Sequence, residues 1–472
     1  MIQDVIPFVS HIRRYGTQAQ RSVASFVAFI ERKLGAQMYF QASDVPYAPD
    51  LTEPMRIADL LKNRGVIKRL NRYYPLPDEP QIYYWRAVCG GKHAQAAGAS
   101  DLHSEKQALL ATVAEALERY LWSETDDYFE RPMRATERQM KSVAHVPLAR
   151  FVSFSEEQRE RDPAMTLRPN ASYLWIRGTS LVSGTPVHLP AQTVSGKHLP
   201  PEPVIRTVVT NGLATWPTRS GAQLHGMLEL IERDAFMIMW FNRLTLPRID
   251  LTELCAENIE LRQVIDCCRR YRLKVHAIKM ITDAPAHAVC VVLEDESGLN
   301  PRFGVGLKAD GSLARAIEGG VYEALRGRIA ARHYFDGGNT WDGSVPIAKV
   351  GHRDRLYYWG IPENAQKMEF LIQGPVTAPG PADWDNDTAE SHRERILGWC
   401  RTMGYECITV PLGRSRMNPT DWQVEMVVIP ELQPVHLHES KRHLGGTRRT
   451  SVPLLFGYTV RDEPFNEPHP FS

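Results

Sequence analysis

Apolar residues recur along this chain at two spacings, and the alternation between them sets the expected architecture. Spacing of three and four residues predicts helices over 22–34, 57–70, 104–123, 219–243, 260–271, 312–334 and 390–403. In the first of these, Val23, Phe26, Ile30 and Leu34 share one face. Short runs of β-branched and aromatic residues predict strands over 81–89, 173–178, 186–190, 273–281, 288–293, 406–411 and 422–430. Segment 90–101, rich in glycine and alanine, reads as a loop, and Phe303–Asp310 as a glycine-containing turn. Segment 341–381, with Gly374, Pro375, Pro379, Gly380 and Pro381, reads as an insertion or a mobile flap. Mixed helices and strands without a fixed repeat place the fold in the α+β class, a mixed α/β domain with long acidic helices packed on sheets. A smaller N-terminal region is expected over 1–88, the main domain over 89–460, and a tail over 461–472. The tail carries Pro464, Pro468 and Pro470, so it cannot continue a helix or a central strand and is expected to be extended.

Two of the predicted helices carry the same charged pattern. Glu115, Glu118 and Arg119 sit among Val113, Ala114, Ala116 and Leu117; Glu229, Glu232 and Arg233 sit among Leu228, Leu230, Ile231, Phe236 and Met237. Residues three and four apart share a helix face, so each stretch presents two carboxylates and a guanidinium together inside an apolar frame. Buried charge is costly unless it is paired or bound to a cation. Ion pairing between helices in a large core explains the pattern as well as a ligand does on spacing alone. A third copy, Glu157, Glu160 and Arg161, lies in a wholly polar stretch and reads as a solvated turn.

Composition narrows the chemistry. The 472 residues are 43% hydrophobic and 24% charged with a formal net charge of +1, which suits a globular chain and argues against a dedicated nucleic-acid surface. The seven cysteines form no Cys-x-x-Cys pair, which fits a reducing cytoplasmic compartment and excludes zinc ribbons and thioredoxin-like motifs. No apolar run is long enough to span a membrane, and the N-terminus lacks a signal-peptide pattern. Ser195-Gly-Lys197-His198 is not a P-loop, Gly304-x-Gly306 is a fragment of a dinucleotide fingerprint, and no nucleophile elbow is present. His438-Glu439-x-x-x-His443 is one residue too long for the zinc-protease helix and reads as structural or surface. Cys267, Cys268, Trp240 and Phe241 read as packing residues. Carboxylates on helices with arginines beside them can hold a nucleotide only through a hard cation, whose oxygen ligands come from both sides.

At these motifs the chain resembles the YcaO family. The matching stretches are 114–120, Thr210-Asn-Gly-Leu-Ala214, 228–235, Trp175 to Gly178 with Leu189 to Ala191, Glu323 to Arg328, and Val427 to Pro434, in family order. The resemblance implies a YcaO-like fold that binds ATP with Mg2+ ions carried by Glu115, Glu118, Glu229 and Glu232. It implies that Thr112 stands where the family has serine, and that Arg119, Arg233 and Arg328 act as phosphate or structural arginines. It further implies that Pro468, Pro470 and Ser472 form the tail of azoline-forming members, which end in a proline-rich motif reaching into the active site. Here two of that motif's three prolines are present, with Ser472 in place of the last. The implied reaction is ATP-dependent cyclodehydration of Cys, Ser or Thr in a ribosomally made precursor peptide, of the thiazole/oxazole-modified microcin type. The implied partners are that peptide, a leader-binding adenylating-enzyme-like protein in a hetero-complex, and a flavin dehydrogenase that completes azole formation. Two other readings stay open: thioamide or amidine formation at the same ATP site, and a non-catalytic peptide-binding scaffold.

Overall fold

The computed structural model describes residues 51–91, 95–124, 129, 132–168, 170–195, 202–207, 209–352, 354–384, 388–413 and 418–471. The amphipathic stretch 22–34 and Ser472 lie outside them.

Helix α1 (Thr52–Asn63) precedes a three-stranded antiparallel sheet, β1 (Ile67–Tyr73), β2 (Tyr83–Cys89) and β3 (Ala96–Asp101), in that spatial order. β3 is the segment expected to be a loop. Its small residues hide its strand character, but they let the backbone lie close under the next helix, and Gly98 has no room for a Cβ beyond 3.1 Å from the Trp85 carbonyl. The division expected at residue 88 falls at the end of β2, which pairs with β3 on its far side.

Helix α2 (Glu105–Ser123) follows, with Ser104 as its N-cap: the hydroxyl accepts the Gln107 N–H at 3.2 Å. A six-stranded sheet is built from β4 (Met133–Thr136), β5 (Ser172–Ser180), β6 (Pro186–Pro190) and β7 (Leu213–Trp216), joined much later by β13 (Ile408–Leu412) and β14 (Gln423–Val428). Helix α3 (Arg219–Asn242) leads through β8 (Arg248–Ile249) to α4 (Ile259–Arg270). A five-stranded sheet then runs β11-β10-β9-β8-β12, from β9 (Leu273–Lys279), β10 (His287–Asp295), β11 (Phe303–Asp310) and β12 (Val376–Thr377). Helices α5 (Leu313–Asp336), α6 (Ala389–Met403) and α7 (Arg448–Leu455) complete the set used below.

Two sheets are buried on both faces. On β10, Val289, Val291 and Leu293 join the core of α4 and α5, while Cys290 and Val292 join the core around α3. On β14, Val424, Met426 and Val428 face the core shared with α2, and Val427 faces α3. The order of layers is therefore α2, six-stranded sheet, α3, five-stranded sheet, α5, with the α3 core between two sheets. Phe303–Asp310 is a full strand rather than a turn. Gly306 permits α5 to cross it closely, since a Cβ there would sit 2.1 Å from the Gly320 carbonyl oxygen.

Segment 341–381 is not a detached flap. Trp359, Met368 and Leu371 are buried in the α3 core. Glu157 to Arg161 forms a short solvated helix with no buried residue, as its polar frame predicts. Trp240, Phe241 and Cys268 are core residues as expected. Among the described residues, no helix is long and apolar enough to cross a membrane.

Candidate functional site

The acidic faces of α2, α3 and α5 line one cavity of about 1250 Å³. Glu115, Glu118 and Arg119 come from α2, Glu229, Glu232 and Arg233 from α3, and Glu323 and Arg326 from α5.

Each glutamate is aimed by a backbone amide from a strand or turn crossing its helix. Glu115 accepts from Gly98 N–H and Glu229 from Gly212 N–H, each at 2.8 Å. In both, the glycine lies 17 residues upstream of the glutamate, so the two motifs are built alike. Gly212 has φ of +88° and would place a Cβ 2.2 Å from the Val427 carbonyl oxygen, so only glycine fits. Glu118 accepts from Thr215 N–H at 2.6 Å, Glu232 from Ala309 N–H at 3.0 Å and Glu323 from Leu307 N–H at 2.6 Å. One carboxylate oxygen is thereby fixed on backbone, which orients the other.

The arginines compensate this charge only partly. Arg119 bridges Glu115 (3.1 Å) and the Thr210 hydroxyl (2.7 Å). Arg233 reaches Glu232 at 3.2 Å and Glu229 at 3.5 Å, while its Nη1 is buried without a hydrogen-bond partner. Burial, and next the neighbouring Glu115, push the Glu118 carboxyl up to about 8 against the pull of Arg119. Burial also raises Glu323 despite Arg233, with Glu232 adding to the rise. Also on the cavity lining, His225 packs at a tilt on Trp216 with ring centroids 4.1 Å apart, and burial and Lys308 lower its pKa to about 4.

The C-terminal tail enters the same cavity. Pro468, His469 and Pro470 are buried, and the Phe471 ring lies 3.7 Å from the Arg233 guanidinium carbon. The tail is extended, as its prolines require, and it is docked rather than frayed.

The structure thus brings together Glu115, Glu118, Arg119, Glu229, Glu232, Arg233 and Pro470. Thr112 and Pro468 are absent from the cavity lining, and Arg328 is on it with its guanidinium engaged by protein partners. Thr112 is fully buried and bonded to backbone: its hydroxyl oxygen accepts from Ala99 N–H at 2.9 Å and lies 2.8 Å from the Ala108 carbonyl. It ties α2 to β3 and does not line the cavity. Of the two roles open to Arg328, the structural one is seen. Its guanidinium holds Glu79 (3.0 Å), Asp295 and the Pro301 carbonyl (2.6 Å), so each of its three nitrogens already has a protein partner. Pro468 contributes a carbonyl to the tail's docking and is absent from the cavity lining. Glu323, Arg326, His225 and Trp216 were missed as site residues. The signal for the first two was Glu323-x-x-Arg326 framed by Val321, Ala324 and Leu325, a shorter form of the pattern on α2 and α3.

Clustered carboxylates that outnumber the two arginines paired with them, a Glu118 carboxyl raised by burial and by Glu115, and an unpartnered buried guanidinium nitrogen fit Mg2+ and a polyphosphate. The site belongs to the class of nucleotide-binding sites without a P-loop. Comparison with known proteins gives the family. The model for YcaO cyclodehydratases, described as ATP- and Mg2+-binding, matches residues 102–433. The chain belongs to the YcaO family.

Solved structures with the same fold include a heterocyclase in complex with substrate and cofactor (TM-score 0.69, 20% identity, 87% of this chain and 56% of that one). They also include YcaO from Methanopyrus kandleri bound with AMPPCP and Mg2+ (0.60, 17%, 86% and 95%). The E. coli microcin synthetase McbBCD complex is a third (0.56, 14%, 77% and 88%). An uncharacterized protein of Methanothermobacter thermautotrophicus is 26% identical over 174 residues, 35% of this chain and 45% of that protein. The chain thus spans about half the length of that relative and of the heterocyclase.

Proposed function

We propose that this chain catalyses ATP-dependent cyclodehydration of Cys, Ser or Thr residues in a ribosomally made precursor peptide, within a hetero-complex. The observation that carries the reading is the meeting of three acidic helices and the tail in one cavity, with Arg233 on its wall and one nitrogen of that guanidinium buried without a partner.

The side chain's sulfur or oxygen adds to the preceding amide carbonyl, giving a hemiorthoamide. That addition closes the ring; the hemiorthoamide oxygen then takes the γ-phosphoryl group of ATP, releasing ADP, and departs as phosphate while the ring nitrogen gives up its proton, so the C=N bond of a thiazoline or oxazoline forms and the oxygen lost from the peptide appears in phosphate. Mg2+, when bound, neutralises phosphate charge between the carboxylates. Glu115, Glu118, Glu229 and Glu232 would hold it, each pre-aimed by a backbone N–H. Glu323 stands where it can join them. Arg233, flanked by Glu229, Glu232 and Phe471, has in its buried, unpartnered Nη1 a donor that would turn to phosphate oxygens. Positioning and fixed electrostatics therefore do most of the catalytic work.

The microcin synthetase complex solved with pro-MccB17 bound supports a peptide substrate and a multi-protein setting. A leader-binding adenylating-enzyme-like partner and a flavin dehydrogenase would complete the system. The test is incubation with ATP, Mg2+, partner and candidate peptide, followed by mass spectrometry. Loss of one water per ring is expected, together with phosphate release. Phosphate release with oxygen-to-sulfur exchange in the peptide would favour thioamide formation. No turnover, and no effect of Glu115→Gln on any readout, would favour the scaffold reading.

A further inference from the structure

A proline-rich strand offers carbonyl acceptors and few N–H donors, so whatever holds it must donate. The tail is held this way. Trp240 Nε1 donates to the Glu467 carbonyl and Trp359 Nε1 to the Pro468 carbonyl, both at 3.1 Å. Arg442 donates to the Phe465 carbonyl at 3.2 Å and lies 3.5 Å from that of Glu467. Arg355, fully buried, reaches the Phe471 carbonyl at 3.4 Å.

The two arginines share one anchor. Glu439 Oε1 accepts from Arg355 Nη2 at 2.8 Å; Oε2 accepts from Arg442 Nε at 3.0 Å and lies 3.0 Å from His436 Nε2. The His436 carbonyl in turn accepts from Arg355 at 2.9 Å and lies 3.0 Å from His469 Nε2. Glu439 is 5% exposed, and its carboxylate oxygens bond Arg355, Arg442 and His436 rather than the tail itself. Everything it does to the tail passes through the two guanidiniums and His436. Each arginine uses one edge on Glu439 and another on a tail carbonyl, so the carboxylate fixes the direction from which both grip. The last carbonyl gripped belongs to Phe471, whose ring lies on Arg233.

The ligating atoms of His436, Glu439 and His469 lie within 4.8 Å of one another, a spacing that invites a metal reading. Charge argues against it. Both oxygens of Glu439 already serve two guanidiniums, so a divalent cation would add to an excess of buried positive charge.

We propose that Glu439 is a positioning residue for the reaction: through Arg355 and Arg442 it locks the tail so that Phe471 holds the Arg233 guanidinium toward the reacting phosphate. The proposal rests on the functional reading above. Its test uses the full chain with Glu439→Gln, which keeps shape and removes charge, and Glu439→Asp, which keeps charge. In Glu439→Gln, amide exchange across 464–471, read by mass spectrometry, should quicken by roughly tenfold to a hundredfold, as expected for losing a charged hydrogen bond. The maximal rate should fall by a similar factor, while Mg2+-dependent binding of a non-hydrolysable ATP analogue changes less than about twofold, because the glutamates that hold it are untouched. Glu439→Asp should recover part of both losses. Unchanged tail exchange in a folded Glu439→Gln protein overturns the cradle even if the unmodified chain shows no cyclodehydration. Quickened exchange with an unchanged rate overturns the positioning role. Zinc-dependent slowing of tail exchange, reversed by chelator, would restore the metal reading in its place.

Discussion

Glu118, half-buried on the cavity wall, and Glu439, buried in the tail cradle, both stand next to arginine, and their carboxyls shift in opposite directions. In the cavity, burial and the neighbouring Glu115 outweigh Arg119, and the Glu118 carboxyl rises to about 8. In the tail cradle, burial is outweighed by His436, Arg355 and Arg442, and the Glu439 carboxyl falls to about 2. The cradle supplies more positive charge than its carboxylate needs; around Glu118 the supply falls short, because Arg119 is engaged with Glu115 and Thr210. Where a carboxylate already has guanidiniums on both oxygens, as Glu439 has, a cation has no place. Where carboxylates outnumber their arginines, as around Glu118, a cation does.

The largest test is to remove the ligand-holding charges. Glu232→Gln or Glu229→Gln should lower Mg2+-dependent phosphate release by on the order of 10²–10³-fold, as for loss of a preorganised electrostatic group. A rate within twofold of the unmodified chain would return these residues to mere helix pairing. Next, deleting Glu467–Ser472 should leave no ring formation detectable by mass spectrometry, while the helices that carry the glutamates stay folded by circular dichroism. Ring formation at the original rate would detach the tail from the site.

The third test sets the two glutamates against each other in the metal-free protein. Glu439→Gln should destabilise the fold by about 3–5 kcal/mol in urea unfolding, since it leaves two buried guanidiniums without their anchor. Glu118→Gln should stabilise it or leave it unchanged at pH 7, because the group is already largely protonated there. Equal losses for both would abolish the distinction.

Their pH dependences should also oppose. Glu439 is depressed, so its contribution is present above the ordinary carboxyl value of 4.5 and is lost as pH falls toward about 2. Burial depresses His436 and His469, so the cradle should start to weaken as pH drops below their ordinary 6.5. Glu118 is raised, so its effect runs the other way: stability declines as pH rises from 4.5 through about 8, and added Mg2+ removes that decline. Urea titrations of the unmodified chain and each Gln variant across pH 4–9 check both slopes. Smallest of all, Glu157→Gln at the exposed third copy should change stability by less than about 0.5 kcal/mol and turnover not at all.

The sequence by itself determined the long helices, the Ser104 cap and the acidic faces, though not the end of the helix expected over 57–70, which stops at Asn63 and gives way to β1; helical periodicity is local, and Glu-x-x-Glu-Arg in an apolar frame can present its charges only on one side. It also separated the two buried copies from the solvated one, through nothing more than the neighbours of Glu157. It determined that the tail is extended, since proline fixes the backbone angle and removes the donor. Tertiary structure alone decided where these parts meet. The Gly98 and Gly212 amides that aim Glu115 and Glu229 lie a whole turn-and-strand away, and β3 was unreadable because Ala and Gly carry no strand signature. Arg328 and Arg233 both sit in helical, apolar surroundings. What separates them is that Glu79 and Asp295 come to one from distant strands and loops, while Nη1 of the other has no such partner. The docking of the tail on Arg355, Glu439 and Arg442 depends on contacts spanning up to 116 residues, which no local pattern encodes. Spacing along a chain fixes which charges share a face; only folding fixes which of them already have a partner.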